Sequence, residues 1–270
     1  MKEATQSVSQ GVWASAAAYE PYMGRWSRQI ARQFIAWLAR PPGGQWIDIG
    51  TGTGAVLQAI VEHARPAAVV ALDRSADYLA YAQAHQDDAK VVFRIGDGAQ
   101  LTDAADTFDA ATSGLVLNFV PDAAAVVGEM ARVTRPGGVV AAYLWDYGGR
   151  MELLRCFWDV AVELDPSARS RDEANRSQVW RPEVLAQLFR AVGLADVAVE
   201  PIEVEARFPD FEAYWAPFRG GQGTVASYAM GLDEPARERL CTRLAAALPR
   251  AADGSIVLAL RVWAARGMVP

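Results

Sequence analysis

The chain has 270 residues, 52% of them hydrophobic and 21% charged, with a formal net charge of −6, which fits one large α/β domain or a domain with insertions around a sizeable core. The acidic balance and the lack of a dense Lys/Arg cluster argue against a nucleic-acid interface. The cysteines, Cys156 and Cys241, stand outside any metal-ligand spacing, so the expectation is no metal, two structural thiols and a cytoplasmic protein.

In chain order, residues up to Gln10 are polar and lack a signal-peptide core. Residues 20–40 place Tyr22, Trp26, Ile30, Phe34 and Trp37-Leu38 at three-to-four spacing, which predicts a helix. Gln45-Trp46-Ile47 reads as a strand, Asp48 to Gly54 as a glycine loop, and a helical pattern begins at Ala55. Val69 to Asp73, Val91 to Ile95 and Phe108 to Leu115 read as further strands. Arg135-Pro136-Gly137-Gly138 is expected to end a helix by a turn, with a strand from Val139 to Trp145. Residues 147–180 break the rhythm with a tryptophan-rich helical stretch around Phe157 and Trp158, then an Arg-rich passage. A helix restarts at Arg181-Pro182-Glu183 and ends at Gly193; Val197 to Val204 reads as the sixth strand. Residues 209–250 form a second, mostly helical insertion, and Ile256 to Arg266 is a closing strand. No apolar run approaches the roughly 20 residues of a membrane helix. Strands alternating with helices through residue 146 predict a parallel sheet covered on both faces.

The chemistry is concentrated in Asp48-Ile49-Gly50-Thr51-Gly52-Thr53-Gly54. A strand, a glycine loop and a helix let a nucleotide-like ligand lie against bare backbone; a side chain at Gly50 or Gly52 is expected to fill the ligand's space. Two cofactors fit. Gly50, Gly52 and Ala55, with Asp73 further on, match a loose dinucleotide pattern, which would make the chain an NAD(P)-dependent oxidoreductase. Asp48, two residues before the first glycine, suits a ligand with an α-ammonium and a sulfonium instead, and is a poor neighbour for pyrophosphate. Asp73 ends a strand and could accept from ribose hydroxyls with either cofactor; it could also cap the helix from Ala76. Gly96-Asp97-Gly98 could be a plain turn, or could place a carboxylate against an exocyclic amino group.

In their order over residues 45–146, the segments Asp48 to Gly54, Val69 to Asp73, Gly96-Asp97-Gly98, Phe108 to Leu115 and Arg135 to Gly138 resemble the class I S-adenosylmethionine-dependent methyltransferases, of the small-molecule type related to ubiquinone and menaquinone biosynthesis. The resemblance implies a Rossmann-like, doubly wound seven-stranded sheet with an antiparallel C-terminal hairpin and helical insertions, in a single domain spanning 1–270. Residues 20–40 would form a cofactor-covering helix, 45–146 the cofactor core, and 147–180 and 209–250 the substrate-side insertions. It implies S-adenosyl-L-methionine as cofactor and S-adenosyl-L-homocysteine as product, held by Tyr22, Arg25, Asp48, Gly50, Thr51, Gly52, Asp73, Arg74, Tyr78, Gly96, Asp97, Gly98, Ser113 and Leu115. The Tyr19 to Arg28 segment resembles the part that covers the cofactor in these enzymes; Arg25 would take the methionine carboxylate as a guanidinium fork, or lie on a solvated helix face, while Arg28 is read as solvated.

Ligands of open α/β sheets bind beyond the carboxyl ends of the strands. That rule puts Trp26, Asn118, Trp145, Tyr147 and Trp215 around a substrate pocket, with Asp146 and Tyr147 as candidate bases or as pocket wall. His63 and His85 fall late in their helices and are read as surface residues. Leu117 to Pro121 lacks the Asn/Asp-Pro-Pro-aromatic motif of DNA and glutamine amino-methyltransferases. The aromatic-rich insertions, Trp180 and Phe211 among them, suit a small apolar or aromatic acceptor. Gly220 to Gly223 reads as a lid or an interhelical turn. The expected partners are a small-molecule substrate, no nucleic acid and no membrane, with the chain a monomer or homodimer. A protein that binds the same cofactor without transferring a methyl group would carry the same motifs.

Overall fold

The computed structural model describes residues 16–175, 178–179, 181–220 and 223–270. Trp180 and the Gly221-Gln222 part of the expected lid lie outside the described residues.

A helical lead-in, Ala16–Tyr19 and Glu20–Gly24, runs into helix α1, Arg25–Leu38. On α1 the three-to-four spacing buries Trp26, Ile30, Phe34, Ile35 and Leu38. The core then alternates: β1 Gln45–Ile49, α2 Ala55–Ala59, β2 Ala68–Asp73, α3 Ala76–Ala84, β3 Val91–Ile95, β4 Phe108–Gly114, α4 Ala123–Val133 and β5 Thr134–Trp145. After α5, Glu152–Leu164, and α6, Pro182–Ala191, come β6 Ala195–Phe208, then α7 Phe211–Trp215, α8 Gly223–Gly231, α9 Glu234–Ala247 and β7 Ile256–Met268.

The strands form one seven-stranded sheet in the order β3-β2-β1-β4-β5-β7-β6. The first five are parallel, while β7 lies antiparallel between β5 and β6. This is the expected Rossmann-like sheet with its antiparallel closing hairpin. Strand order reverses between β1 and β4, so the crevice of an open sheet falls beyond the carboxyl ends of those two strands.

Two elements depart from the sequence reading. β5 starts at Thr134, not at Val139: Thr134 pairs with Phe108, and the register then jumps to Val139 opposite Ala110, so the expected turn Arg135 to Gly138 bulges from the head of the strand. β6 extends from Ala195 to Phe208, beyond the expected 197–204. Its period-two pattern persists to its end, burying Ile202, Val204, Ala206 and Phe208 and exposing Glu203, Glu205 and Arg207. Pro201 is tolerated because β6 is an edge strand. Among the described residues no helix is long and apolar enough to cross a membrane.

Candidate cofactor crevice and acceptor site

The glycine loop leaves β1 by a tight backbone path. The N–H groups of Gly50 and Thr51 donate to the Leu72 carbonyl at 2.7 and 3.0 Å, and the Thr51 hydroxyl donates to the Asp48 carbonyl at 3.0 Å. Gly50 and Gly52 have φ of +73° and +57°, the left-handed region that glycine enters without strain. Their surroundings differ, which corrects the expectation that both face the ligand. A Cβ on Gly50 would sit 2.3 Å from Val116 Cγ2, whereas one on Gly52 would meet nothing nearer than 3.9 Å. Gly50 is therefore required by its neighbour, and Gly52 opens toward the crevice beside Tyr78.

Three acids line the ends of β1, β2 and β3. Asp48 is fully buried; its Oδ1 accepts from the Thr112 hydroxyl at 3.2 Å, and its Oδ2 has no partner. Burial without a cation pushes its carboxyl up to about 7, although the Thr51 and Thr112 hydroxyls and the Leu57 N–H oppose the shift. Asp73 accepts from Gly52 N at 2.8 Å through Oδ2 and from Ser75 N at 2.9 Å through Oδ1. The helix cap is Ser75, which accepts from Tyr78 N, so Asp73 instead ties the glycine loop to β2. Asp97 is exposed beyond β3 and accepts from Ala99 N at 3.0 Å, while Gly96 N donates to the Asp73 carbonyl.

Other expected cofactor residues have structural duties. A Cβ on Gly98 would lie 2.6 Å from Ile49 Cγ2, and one on Gly96 would lie 2.9 Å from Leu72 Cδ1. Ser113 is buried and donates to the Ile49 carbonyl at 2.9 Å. Leu115 holds a φ of +62°, with its N–H on the Tyr143 carbonyl. A non-glycine residue held there is strained, and such strain concentrates at functional loops. Arg74 is exposed.

The N-terminal segment folds over this end of the sheet. Ala16 N donates to Asp77, and the Tyr19 ring packs edge-on against Tyr78 at 6.4 Å. Tyr22 is buried and packs edge-on against Phe218 at 5.9 Å, joining the segment to the second insertion. Arg25 is exposed, its guanidinium 4.1 Å from the Trp26 ring centre and 5.4 Å from that of Phe208. Arg28 is not solvated as expected: it pairs with Glu20 and donates to Gln58 Oε1 at 3.2 Å.

Beyond β5 and β4 lie the candidate acceptor residues. Asp146 is buried and held by Arg261 at 2.6 Å and by Arg150 N at 2.8 Å. Its Oδ2 is thus taken up by partners within the chain, which counts against its reading as a base. Tyr147 is different: its phenol oxygen accepts from Asn118 Nδ2 at 3.2 Å, and Arg155 Nη1 donates to its carbonyl. Asn118 Oδ1 is sealed from solvent with no partner. Trp145 is buried, Trp26 packs against Phe208, and Trp215 stacks on Phe211 and Phe157. These three tryptophans thus form packed wall. His63 is half-exposed beside Glu62, and His85 stacks on Tyr81, so neither reaches this end of the sheet.

Sequence reasoning missed Val116, Thr112 and Arg261, and placed Tyr19 on the covering segment without giving it a role of its own. Only Tyr19 carried a usable signal, as an aromatic three residues before Tyr22 on the covering segment.

A family model described as a methyltransferase domain matches residues 47–142. The demethylmenaquinone methyltransferase of Roseiflexus sp. strain RS-1 is 34% identical over 174 residues, covering 59% of this chain and 72% of the relative. The nocamycin O-methyltransferase of Saccharothrix syringae is 31% identical over 200 residues, covering 69% of this chain and 71% of the relative. Among solved structures, phosphoethanolamine N-methyltransferase 2 of Haemonchus contortus, in complex with S-adenosyl-L-methionine, superposes with a TM-score of 0.61 at 17% identity, covering 98% of this chain and 60% of that one.

Proposed function

Because this chain belongs to the class I S-adenosylmethionine-dependent methyltransferases, we propose that it methylates a small aromatic or apolar acceptor seated against Asn118 and Tyr147. Methyl transfer from S-adenosylmethionine to a small molecule is the family activity; the residue roles and the acceptor class are the proposal.

The crevice fits this cofactor. A fully buried carboxyl with one unpartnered oxygen and no compensating cation is complementary to an ammonium group. The space above Gly52 admits a ligand against bare backbone. Asp48 would hold the α-ammonium, and Asp73, which keeps lone pairs beyond its two backbone bonds, would accept from the ribose hydroxyls. Asp97 would read the exocyclic amine, and Tyr78 with Tyr19 would wall the site. Arg25, placed over Trp26, would shield the aromatic wall rather than clamp a carboxylate.

The cofactor supplies a methyl group already activated on a sulfonium. The chain's own work is to position the acceptor and exclude water. Tyr22 and Trp215, both packed on Phe218, would give the acceptor an apolar enclosure. Within it, the Asn118 amide and the Tyr147 phenol form a polar pair, and this pair carries the reading of an apolar body bearing one polar group. The relatives' names, demethylmenaquinone and nocamycin methyltransferases, support a small organic acceptor. The charge of −6 disfavours nucleic acid and anionic membrane surfaces as partners, and two free cysteines support a reducing, cytoplasmic setting.

The test starts with calorimetric titration of S-adenosylhomocysteine, with NADH in parallel, followed by an acceptor screen with methyl-labelled S-adenosylmethionine. Hydroquinones and phenols are expected to take label, and Tyr147→Phe is expected to lower kcat on them while S-adenosylhomocysteine affinity holds. Label appearing only on polar amines or simple carboxylic acids would overturn the acceptor class.

A further inference from the structure

We propose that the amino-terminal end of the sheet carries a second binding site, for a small organic monocarboxylate, in the cavity between Arg40, Trp46 and Arg135. It lies where β1, β4 and β5 begin, at the opposite ends of these strands from Gly50, Gly114 and Trp145, and is thus separate from the cofactor crevice.

The cavity has a volume of about 240 Å³. Its lining is half polar and half apolar, with Pro41, Pro42 and Ala67 on the apolar side, and its polar groups are unevenly satisfied. Asp109 is spent: it pairs with Arg135 and accepts from Gln45 N at 2.7 Å. Arg40 donates through Nη2 to the Gly137 carbonyl at 3.2 Å, but its Nε, shielded from bulk solvent, has no partner. Among the described residues no carboxylate forms an ion pair with Arg40. Trp46 is 1% exposed, and its indole N–H is also without a partner. Buried donors are nearly always paired in folded proteins, so two orphaned donors on residues that line one cavity point to an acceptor not supplied by the chain.

The lining selects the acceptor. Arg40 and Arg135 bring two cations and Asp109 one anion, leaving one positive charge to be matched. A guanidinium fork and an indole N–H together suit the planar oxygens of a carboxylate. The apolar half of the lining favours an organic body behind it, and a single net positive charge matches a monoanion better than a doubly charged phosphate. The rim is preformed: Gly43 N donates to the Arg65 carbonyl and Ala67 N to that of Gly44, both at 2.9 Å, and two prolines stiffen the loop. The chain as a whole is acidic, so this positive spot does not follow from its net charge.

The experiment is a titration of the ¹⁵N-labelled full chain with benzoate, and in parallel with inorganic phosphate, following the Trp46 indole N–H signal assigned through Trp46→Phe. Benzoate is expected to move that signal saturably and phosphate to leave it in place. Arg40→Ala should weaken benzoate at least about tenfold, and Arg40→Lys, which keeps the charge but loses the fork, should also weaken it. S-adenosylhomocysteine affinity, measured on each variant, should match the wild type, which separates loss of this site from loss of the fold or failure of the cofactor reading. No saturable movement with benzoate, an equal response to phosphate, or wild-type benzoate binding in Arg40→Ala would each overturn the proposal.

Discussion

The glycine-loop end of the parallel strands and the aromatic block built by the insertions are both buried, yet they handle their side chains in opposite ways. In the block, aromatic rings are spent on one another: Phe157 contacts Trp158, Trp215, Phe218 and Tyr228, with ring centres 5.2 to 6.4 Å apart. At the loop, polar groups are held short of full satisfaction, as with Asp48 Oδ2 and Asn118 Oδ1. A satisfied apolar cluster stabilises the fold and asks for nothing further, whereas a buried polar atom without a partner costs free energy that a ligand can recover. The difference separates residues that hold the enzyme together from residues proposed to hold its ligands.

The sharpest way to break this division is at Gly50. Gly50→Ala combines a left-handed backbone with a Cβ 2.3 Å from Val116 Cγ2, so a loss of at least about 2 kcal/mol in stability is expected, together with loss of S-adenosylhomocysteine binding. Gly52→Ala has a similar φ but open space around its Cβ, so it should cost only about 1 kcal/mol of stability while still weakening the ligand. Thermal unfolding and calorimetry distinguish the two. Recovery of Gly50→Ala by a second change, Val116→Ala, would confirm the contact as the cause.

Within the block the expectation reverses. Phe157→Ala should cost about 3–5 kcal/mol in denaturant unfolding and, at temperatures where the variant stays folded, leave cofactor affinity near wild type. A variant that folds normally but loses affinity would place Phe157 among the ligand-holding residues and blur the division.

The two regions also differed in how plainly the sequence announced them. The β1 loop was legible because its information is local: a strand, an acid, three glycines and a helix stand within about twenty residues, and backbone conformation follows from residue type. β7 was legible from its continuous apolar run, and the body of β6 from its alternation. What escaped were long-range pairings. Asp146 looked like a base because Arg261, 115 residues away, carries no local mark of its partner. Val116 gave no hint that it forbids a side chain at Gly50. Arg28 was read as solvated because its partner Glu20 stands eight residues back, beyond the usual helical neighbours, across the irregular Glu20–Gly24 turn. The head of β5 was lost because proline and glycine announce a turn equally well when that turn bulges from a strand.

Asp48 sharpens the comparison through pH. Its carboxyl is raised by burial from 3.8 to about 7 in the folded chain, so the folded state favours the neutral form. The stability this provides is full below pH 4 and is lost as pH rises toward 7, where the unfolded chain alone gains by ionising. Asp48→Asn removes that loss. The variant should therefore gain on the wild type between pH 4 and 7, level off above 7 at a few kcal/mol, and bind S-adenosylhomocysteine more weakly throughout. Chemical unfolding at a series of pH values checks the first part, and a difference that stays flat across that window would show that Asp48 ionises freely and is not held short of a partner.

The smallest effect is expected at Asp97, where the division is least pronounced. Its side chain is exposed and makes one bond, to Ala99 N, so the fold gains little from it. Its assignment to the adenine amino group rests on its place beyond β3, one strand from Asp73. A single hydrogen bond from an exocyclic amine to an accessible carboxylate is worth about 1–2 kcal/mol, because water competes for both groups. Asp97→Ala should accordingly weaken S-adenosylhomocysteine about tenfold and leave the unfolding midpoint within a degree or so of wild type. The analogue lacking the amino group provides the control: the deaminated, inosine form of the ligand should bind wild type and Asp97→Ala alike. If the variant loses affinity equally for both ligands, Asp97 acts by shaping the Gly96–Gly98 turn, and adenine is read elsewhere.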